Sequence, residues 1–261
     1  MSEPDPNAKI SVRGLTMAYG SFVVMEDLNF DVMEKDIFVI MGGSGCGKST
    51  LMRHMIGLKE PAEGSIYYEG EDFTATDAAG RLSFIRKFGV MYQSGALWSS
   101  MTLSENIAMP LQEHTDLSVD EIRDLAAYKL ALVGLSGYED YYPAQVSGGM
   151  NKRAGIARAM ALDPEILFLD EPGAGLDPLS SRRLDELILR LRDSLGSTFV
   201  IVTHELASIF AIANNSIFLD TDTRQQGATG DPKKLRDHSD NEAVRIFLNR
   251  GAPPEHKKNH E

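Results

Sequence analysis

Residues 42–50 read GGSGCGKST, and the chain on either side of them indicates how they fold. The apolar run IFVIM at 37–41 is typical of a buried strand, and LMRHMI at 51–56 can continue a helix. Gly42–Ser49 fit the spacing G-x-x-x-x-G-K-[ST], in which glycines let backbone N–H groups surround phosphate oxygens where a helix begins. A strand, a glycine-rich loop and a helix in this order predict a nucleotide phosphate loop.

The side chains of this loop suit a magnesium nucleotide, and ATP with Mg²⁺ is the ligand that we expect. Lys48 adds a mobile positive charge, and the hydroxyl of Ser49 can bind the metal. The alternative, a glycine-rich turn with a chance lysine, does not account for the strand and the helix beside it. Nucleotide contacts are predicted from Gly42, Gly43, Ser44, Gly45, Cys46, Gly47, Lys48, Ser49 and Thr50.

Cys46 is the single cysteine of the chain, which excludes an internal disulfide and a zinc site built from several cysteines. Its place inside the phosphate loop allows two interpretations, a redox-sensitive brake on ATP binding or a small side chain in a tight loop. We favour the second, because only Lys48 nearby would lower the pKa of the thiol.

Size and composition indicate a globular protein of 261 residues, of which 43% are apolar and 25% are charged. The formal net charge of −12 argues against a nucleic-acid partner, which would favour clustered Lys and Arg. No apolar stretch approaches the ~18 residues of a membrane span. The opening MSEPDPNAKI lacks the basic and apolar regions of a secretory signal, so we expect the chain to stay in the compartment where it is made.

Hydrophobic periodicity divides the chain into two tails and one α/β domain with a mainly parallel sheet. The polar segments 1–9 and 251–261 are expected to be flexible tails, so the domain spans 10–250. Residues 97–145 change to helical spacing and predict an inserted helical subdomain. Strands are predicted at 10–15, 23–32, 37–41, 64–68, 88–92, 166–169, 199–202 and 216–219.

A second glycine-containing helix start, at Ser147–Gly149, predicts another anion-binding surface in front of the helical run MNKRAGIARAMAL. A single mononucleotide fold has one phosphate loop, so we expect this surface to close over ATP that a second copy of the chain holds. Two further helix starts are marked by their capping residues, Ser118 with Glu121 and Asp177 with Pro178.

Acidic and polar side chains are predicted at the carboxyl ends of later strands, where α/β sheets bind ligands. Asp170 is the expected Mg²⁺ ligand, and Glu171 beside it is the expected general base for an attacking water. His204, after the strand at 199–202, is expected near the γ-phosphate, and Gln93 can reach the metal or the water. Each of these residues alone could be an ordinary surface residue; their common position after a phosphate loop favours catalysis.

Taken together, these motifs resemble those of an ATP-binding cassette (ABC) nucleotide-binding domain. The resemblance implies a P-loop NTPase (RecA-like) core with an antiparallel β subdomain and a helical subdomain at about 97–160. It implies that adenine stacks on Tyr19 and that two chains pack head to tail. In such a dimer Ser147, Gly148 and Gly149 contact the partner's nucleotide, and Asp177 couples the two sites. The residues that carry the resemblance are Tyr19, GGSGCGKST, Gln93, Ser147-Gly148-Gly149, ILFLDE at 166–171, AGLD at 174–177 and His204.

The branch of the family is indicated by VSGGMNKRAGIARAMALDP at 146–164, which departs from the commoner LSGGQ pattern. With QSGALWSSMTLSENIAMPL at 93–111, it is similar to the ATPases of Mce-type lipid transporters, above all the Mla phospholipid system. This resemblance implies a subunit on the cytoplasmic face of the inner membrane that energises phospholipid transport between the inner and outer membranes. The implied partners are a multispanning permease, an Mce-domain lipid-binding protein and, as a further candidate, a small cytoplasmic regulatory subunit.

Three other functions stay open at this point: an ABC ATPase for another solute, a soluble ABC-type ATP switch or scaffold, and a catalytically inactive cassette. Two parts of the chain are expected at interfaces. Trp98, the only tryptophan, is the candidate for contact with the permease. The apolar face of 239–250 is expected to cover either its own domain or the neighbouring cassette. The inactive cassette is disfavoured by the intact residues Lys48, Asp170, Glu171 and His204.

Overall fold

The computed structural model describes residues 3–93 and 95–249 and contains two β-sheets. The first is a four-stranded antiparallel sheet. Its strands are β1 (Ala8–Tyr19), β2 (Phe22–Met33), β4 (Glu63–Tyr68) and β5 (Glu71–Asp72). They lie in the order β2–β1–β4–β5. This sheet confirms the antiparallel β subdomain that the sequence resemblance implies.

The second sheet has six strands and is parallel except at one edge. They are β3 (Ile37–Gly42), β6 (Phe88–Met91), β7 (Ile166–Asp170), β8 (Thr198–Val202), β9 (Asn215–Asp220) and β10 (Gln225–Thr229). Their order is β10–β9–β3–β8–β7–β6, and only β10 runs antiparallel to its neighbour. All residues of β3, β7 and β8 are buried, as expected for apolar strands covered on both faces.

Nine α-helices surround these sheets in the described part of the chain. The capping boxes at Thr102/Glu105 and Ser118/Glu121 start the third and fourth helices, as the sequence indicates for Ser118. The helices are α1 (Lys48–Met55), α2 (Ala78–Ile85), α3 (Leu103–His114), α4 (Val119–Leu132), α5 (Gly148–Ala159), α6 (Pro178–Leu195), α7 (Leu206–Ile212), α8 (Pro232–His238) and α9 (Glu242–Leu248).

The core consists of two apolar clusters, one on each face of the parallel sheet. Alternate residues of β3 enter different clusters, because successive side chains of a strand point to opposite faces. Val39 belongs to the cluster under α3, α4, α5 and α6, whereas Phe38 and Ile40 join α1 and the antiparallel sheet. The phosphate loop between β3 and α1 is therefore anchored at both ends in buried structure.

Helix α5 approaches the chain around β6 so closely that only glycine fits at two positions. A Cβ atom added to Gly155 would lie 2.9 Å from the Cα atom of Gly95. A Cβ atom on Gly89 would lie 2.1 Å from the carbonyl oxygen of Ala159. These contacts are backbone against backbone, so no side-chain adjustment could relieve them.

Strand β1 is longer than the sequence predicts, since it spans Ala8–Tyr19 rather than 10–15. The register against β2 shifts between Val12 and Leu15, and Gly14 between them has a φ of 59°. Both Val12 and Leu15 are buried although three positions separate them. The bulge thus breaks the two-residue alternation by which a strand is recognised in sequence.

Residues 97–102 form a loop before α3 rather than the first turn of the predicted helix. The buried amide of Asn106 holds this loop. Its Oδ1 accepts the N–H of Trp98 at 2.7 Å, and its Nδ2 donates to the carbonyls of Trp98, Met101 and Thr102 at 2.8–3.2 Å. Helix α3 therefore begins after its N-cap Thr102 and leaves Trp98 on the loop.

The segment 239–250 covers its own domain as far as the structure describes it. Val244 and Leu248 of α9 are buried in the cluster under α6, and Phe247 packs on Phe218 with ring centroids 5.3 Å apart. Arg250 and the predicted tail at 251–261 lie outside the described residues. Within the described residues, no helix combines the length and the apolar character needed to cross a bilayer.

Candidate functional site

The phosphate loop has a backbone that depends on its glycines. Gly42, Gly45 and Gly47 have φ values of 147°, 78° and 98°, which residues with a Cβ atom rarely adopt. Gly42 has a second constraint, since an added Cβ atom would lie 2.6 Å from the carbonyl oxygen of Leu219 in β9. The loop is thus a fixed turn that places backbone N–H groups at the start of α1.

Lys48 is buried and folds back onto this loop. Its Nζ atom donates hydrogen bonds to the carbonyl oxygens of Gly42 at 3.0 Å and Gly43 at 2.8 Å. The positive charge therefore sits inside the loop. Such a charge is suited to oppose the negative oxygens of a polyphosphate.

Cys46 packs into the apolar cluster beneath the loop and is 1% exposed. Burial raises the pKa of its thiol, against the weaker opposing charge of Lys48. A buried thiol with a raised pKa is poor in the reactive thiolate form. These features support the interpretation of a small packing side chain.

Asp170 ends β7 and faces the first turn of α1. The hydroxyl of Ser49 donates to its Oδ1 atom at 3.0 Å. Burial raises the pKa of the Asp170 carboxyl, whereas the Ser49 hydrogen bond and the charges of Arg53 and Lys48 oppose this rise. A carboxylate and a hydroxyl held together are oxygen ligands of the kind that Mg²⁺ prefers.

Ser49 and Asp170 fit a magnesium ion that takes its remaining ligands from the nucleotide and water. Gln93 lines the same cleft as Ser49, whereas Asp170 does not line it and contacts Ser49 from the end of β7. Among the described residues, no three His, Cys, Asp or Glu side chains gather as a complete metal cage. Mg²⁺ commonly takes one or two protein oxygens and completes its shell with phosphate and water, and the Ser49 and Asp170 pair fits this pattern.

Glu171 follows β7 in an unusual backbone conformation, with a φ of 49°. Its N–H donates to the carbonyl oxygen of Val202 in β8 at 2.8 Å. Its Oε1 atom lies 2.8 Å from Nδ1 of His204, whereas its buried Oε2 atom has no hydrogen-bond partner within the described residues. A buried carboxylate oxygen without a hydrogen-bond partner is uncommon in folded proteins and is often found at a functional site.

One cleft of about 500 Å³ brings most of the predicted residues together. It also includes Phe22 and Val24 of β2, which we did not predict and which no motif marks. The Lys59 ammonium lies 3.2 Å from the centroid of the Tyr19 ring and covers one of its faces. The predicted residues that line the cleft are Tyr19, Ser44, Gly45, Gly47, Lys48, Ser49, Thr50, Gln93, Glu171 and His204.

Ser147, Gly148 and Gly149 lie elsewhere, and we call them the signature surface. Ser147 caps α5 by accepting the N–H of Met150 at 3.3 Å, and Gly148 is exposed. Asp177 caps α6, accepting the N–H groups of Leu179 and Ser180 at 3.0 and 3.1 Å. The start of α6 adjoins the signature surface, since a Cβ atom on Gly149 would lie 3.6 Å from Ser180. None of these residues lines the cleft.

A separate apolar groove of about 670 Å³ lies between α2, β6, α3 and α5. Trp98 is 56% exposed at this groove, and Leu82 and Ile85 of α2 are exposed beside it. Arg158 also lines the groove and donates to the carbonyl oxygen of Ala96. An exposed tryptophan beside further apolar side chains is typical of a protein-binding surface.

Comparisons with known proteins agree with this geometry. A family model described as "ABC transporter" matches residues 25–174. The probable ribonucleotide transport ATP-binding protein mkl of Mycobacterium leprae is 41% identical over 240 residues, covering 92% of this chain and 68% of that protein. The intermembrane phospholipid transport system ATP-binding protein MlaF of Haemophilus influenzae is 38% identical over 205 residues, 78% of each chain.

Among solved structures, a dimeric ATP-binding cassette, MJ0796, in a post-hydrolysis state with bound ADP and Pi has a similar fold. It superposes with a TM-score of 0.76 at 27% sequence identity, covering 85% of this chain and 98% of that one. The chain spans about two thirds of the length of its mycobacterial relatives. The fold comparison and the curated relatives thus each cover most of this chain.

Proposed function

The chain belongs to the ABC transporter family and carries its ATP-binding ATPase domain. From this premise we propose that it is the ATP-hydrolysing subunit of a transporter that moves phospholipid between the inner and outer membranes with Mce-type partners. The observation that carries the catalytic part is the Glu171–His204 pair in the same cleft as the phosphate loop. The phospholipid part rests on the similarity to MlaF over 78% of each chain.

In the proposed reaction, the phosphate loop binds the nucleotide through backbone N–H groups, and Lys48 opposes the negative charge of the phosphates. Tyr19, together with Phe22 and Val24, supplies the apolar surface for the base. Ser49, Asp170 and Gln93 would hold Mg²⁺, which when bound neutralises charge on the phosphate oxygens. The pairing of Ser49 with Asp170 keeps both oxygen donors together.

Glu171 acts as general base for the attacking water, since its side chain lies in the same cleft as the phosphate loop. His204 holds the Oε1 atom of this carboxylate. Burial on the protein side shields the group from bulk water, whereas His204 stays exposed. Water activation thus depends on a pair of side chains from the ends of two neighbouring strands, β7 and β8.

A second copy of the chain completes the proposed site. The signature surface is exposed, lies outside its own cleft and begins a helix whose N-terminus favours anions. We propose that it covers the nucleotide of the second copy in a head-to-tail dimer, with Asp177 linking the two sites. The dimeric state of the MJ0796 cassette supports this arrangement.

The apolar groove at Trp98 is the proposed docking site for a cytoplasmic helix of the permease. It lies between the helical subdomain and the parallel sheet, so a helix held there would respond to movement of either part. Docking there would place the chain on the cytoplasmic face of the inner membrane as a peripheral subunit. An Mce-domain lipid-binding protein and a small cytoplasmic regulatory subunit are the further proposed partners.

The proposal is tested by tagging the chain at native expression, extracting membranes in mild detergent, and identifying the co-purifying proteins and lipids. Recovery of a permease, an Mce-domain protein and phospholipid is the expected result. A permease with a different solute-binding protein would contradict the phospholipid cargo and favour the second candidate, an ATPase for another solute. The similarity to a relative named for ribonucleotide transport favours that candidate. A chain with no membrane partner would contradict the transport function altogether.

A further inference from the structure

Lys152 is a buried lysine on α5, five residues after Ser147, and no step of the proposed reaction uses it. It is 7% exposed, and its Nζ atom donates a hydrogen bond to the main-chain carbonyl oxygen of Glu171 at 3.2 Å. Lys152 forms no ion pair with a carboxylate of the described residues. A buried ammonium that contacts a carbonyl rather than a carboxylate is costly, so its position requires an explanation.

The surroundings of Lys152 are acidic. Burial lowers the pKa of Lys152, and the nearby carboxylates of Glu171, Asp170 and Glu205 oppose this decrease. Glu205 is itself held by the hydroxyl of Ser181, which donates to its Oε2 atom at 3.3 Å. Lys152 therefore brings a positive charge to the carboxylates at the end of β7.

The contact falls on the residue whose backbone is strained. A φ of 49° is unfavourable for a residue other than glycine, so neighbouring contacts must hold it. The carbonyl oxygen of Glu171 accepts from Lys152 and also from the N–H of Ala174 at 3.2 Å. The N–H of Glu171 donates to the carbonyl oxygen of Val202. Among these contacts, only Lys152 comes from the helix that begins at the signature surface.

We propose that Lys152 is a positioning residue that links the signature surface to the catalytic glutamate of the same chain. Lys152 lies five positions after Ser147, so helix α5 separates the two residues by a rise of about 7.5 Å. Its exposed start engages the nucleotide of a second copy, and its buried lysine holds the carbonyl of Glu171. The helix that positions the catalytic base of one chain then contacts the nucleotide bound by the other chain. This inference rests on the proposed function, because it requires the dimer.

The test measures steady-state ATP hydrolysis by the full chain in its native complex. Lys152→Met keeps an unbranched apolar side chain close in length to the lysine stem and removes the charge and the hydrogen bond. We expect kcat to fall about 10- to 100-fold, the range for a hydrogen bond to a charged group. KM for ATP and the affinity for a fluorescent ATP analogue should stay within about twofold, because the phosphate loop is untouched. Lys152→Arg should recover most of kcat.

Arg153 offers a matched control on the same helix. Its Nη1 atom donates to the carbonyl oxygens of Val133 and Gly134 at 2.9 and 3.1 Å, so it also joins a cation to main-chain carbonyls. These carbonyls belong to the helical subdomain. Arg153→Met should therefore leave kcat within about threefold of the wild type, even where it lowers the melting temperature as much as Lys152→Met.

The outcomes separate a positioning role from a structural one. Wild-type kcat in Lys152→Met, equal losses in Lys152→Met and Arg153→Met, or failure of Lys152→Arg to restore turnover would each overturn the inference. A parallel loss of kcat and nucleotide affinity would also overturn it and indicate general destabilisation. In all these cases the wild type still hydrolyses ATP, so the proposed function stands. A wild-type complex without ATPase activity would overturn both.

Discussion

The phosphate loop and the signature surface have similar sequences, since each places glycines and a serine before a helix. Their structures differ. The loop contains three glycines with positive φ, a buried thiol and a lysine bonded to its own carbonyls. The signature surface has ordinary backbone, one serine cap and an exposed glycine. The first binds phosphate with groups of its own chain, whereas we propose that the second offers its donors to the nucleotide of a second copy.

The largest effect is expected from Lys48→Ala, which removes the charge fixed inside the loop. We expect nucleotide affinity to fall at least about 100-fold, because no other cation is bonded to this loop among the described residues. Titration with a fluorescent ATP analogue measures the change, with Lys233→Ala on the exposed start of α8 as the control. Normal affinity in Lys48→Ala would show that the loop is not the principal phosphate site.

Glu171→Gln should separate binding from hydrolysis at the same site. The amide is nearly isosteric with the carboxylate but cannot accept a proton, so we expect turnover to fall about 100-fold or more. ATP binding should persist, and an ATP-bound dimer should accumulate in size-exclusion chromatography. Hydrolysis at the wild-type rate would show that another group is the base.

Ser147→Ala addresses the signature surface and should have a smaller effect. The change removes a helix cap worth about 1 kcal/mol and one donor toward the nucleotide of the second copy. We expect about a tenfold loss of ATPase activity, while the affinity of a single chain for ATP is unchanged. Loss of ATP binding by the isolated chain would contradict the proposal that the phosphate loop binds the nucleotide of its own chain and the signature surface contacts that of the second copy.

A substitution at Asp185 probes α6, the helix beside the signature surface, at a position outside both the signature surface and the phosphate loop. Burial raises the pKa of this α6 carboxyl from 3.8 to about 6, opposed by the hydrogen bond from Ser208. The native state therefore retains its proton between pH 4 and 6 where the unfolded chain has lost it, so stability falls as pH rises through that window. Asp185→Asn should be more stable at pH 7.5 by about 2–3 kcal/mol and equal near pH 3.5.

Urea unfolding of the wild type and Asp185→Asn at the two pH values measures this difference. Ser208→Ala provides a matched control, since it removes the donor and should destabilise the wild type most above pH 6. An equal stability gain at both pH values would contradict the assignment to ionisation of Asp185. Unchanged nucleotide affinity in both variants would confirm that the phosphate loop is independent of α6.

Much of the fold follows from local sequence signals. The run before Gly42, the strand ending at Asp170 and the caps at Ser118 and Asp177 are encoded within a few residues, and the structure confirms these elements. The signature helix likewise begins at Ser147. Each of these features depends on neighbouring residues in the chain, and so sequence periodicity and capping rules are sufficient to find it.

The remaining features depend on contacts between distant segments. Phe22 and Val24 reach the cleft only because β2 lies beside the phosphate loop, and an added Cβ atom at Gly47 would lie 2.9 Å from Val24. Lys152 is one of many cations in sequence, and its contact with Glu171 spans 19 residues. Because of the bulge at Gly14, a rule based on two-residue alternation underestimates the length of β1. Tertiary packing decides all three.

The close approach of α5 to β6 has a consequence for how this chain tolerates change. Gly89 and Gly155 do not line the cleft, yet alanine at either would force two backbones apart. In a saturation scan selected on transport, we expect both positions to be as intolerant as Lys48. A map of intolerant positions would then contain both residues that act on the nucleotide and glycines that are needed for close backbone packing. The glycine variants would be distinguished by the wild-type-like nucleotide affinity of their folded fraction.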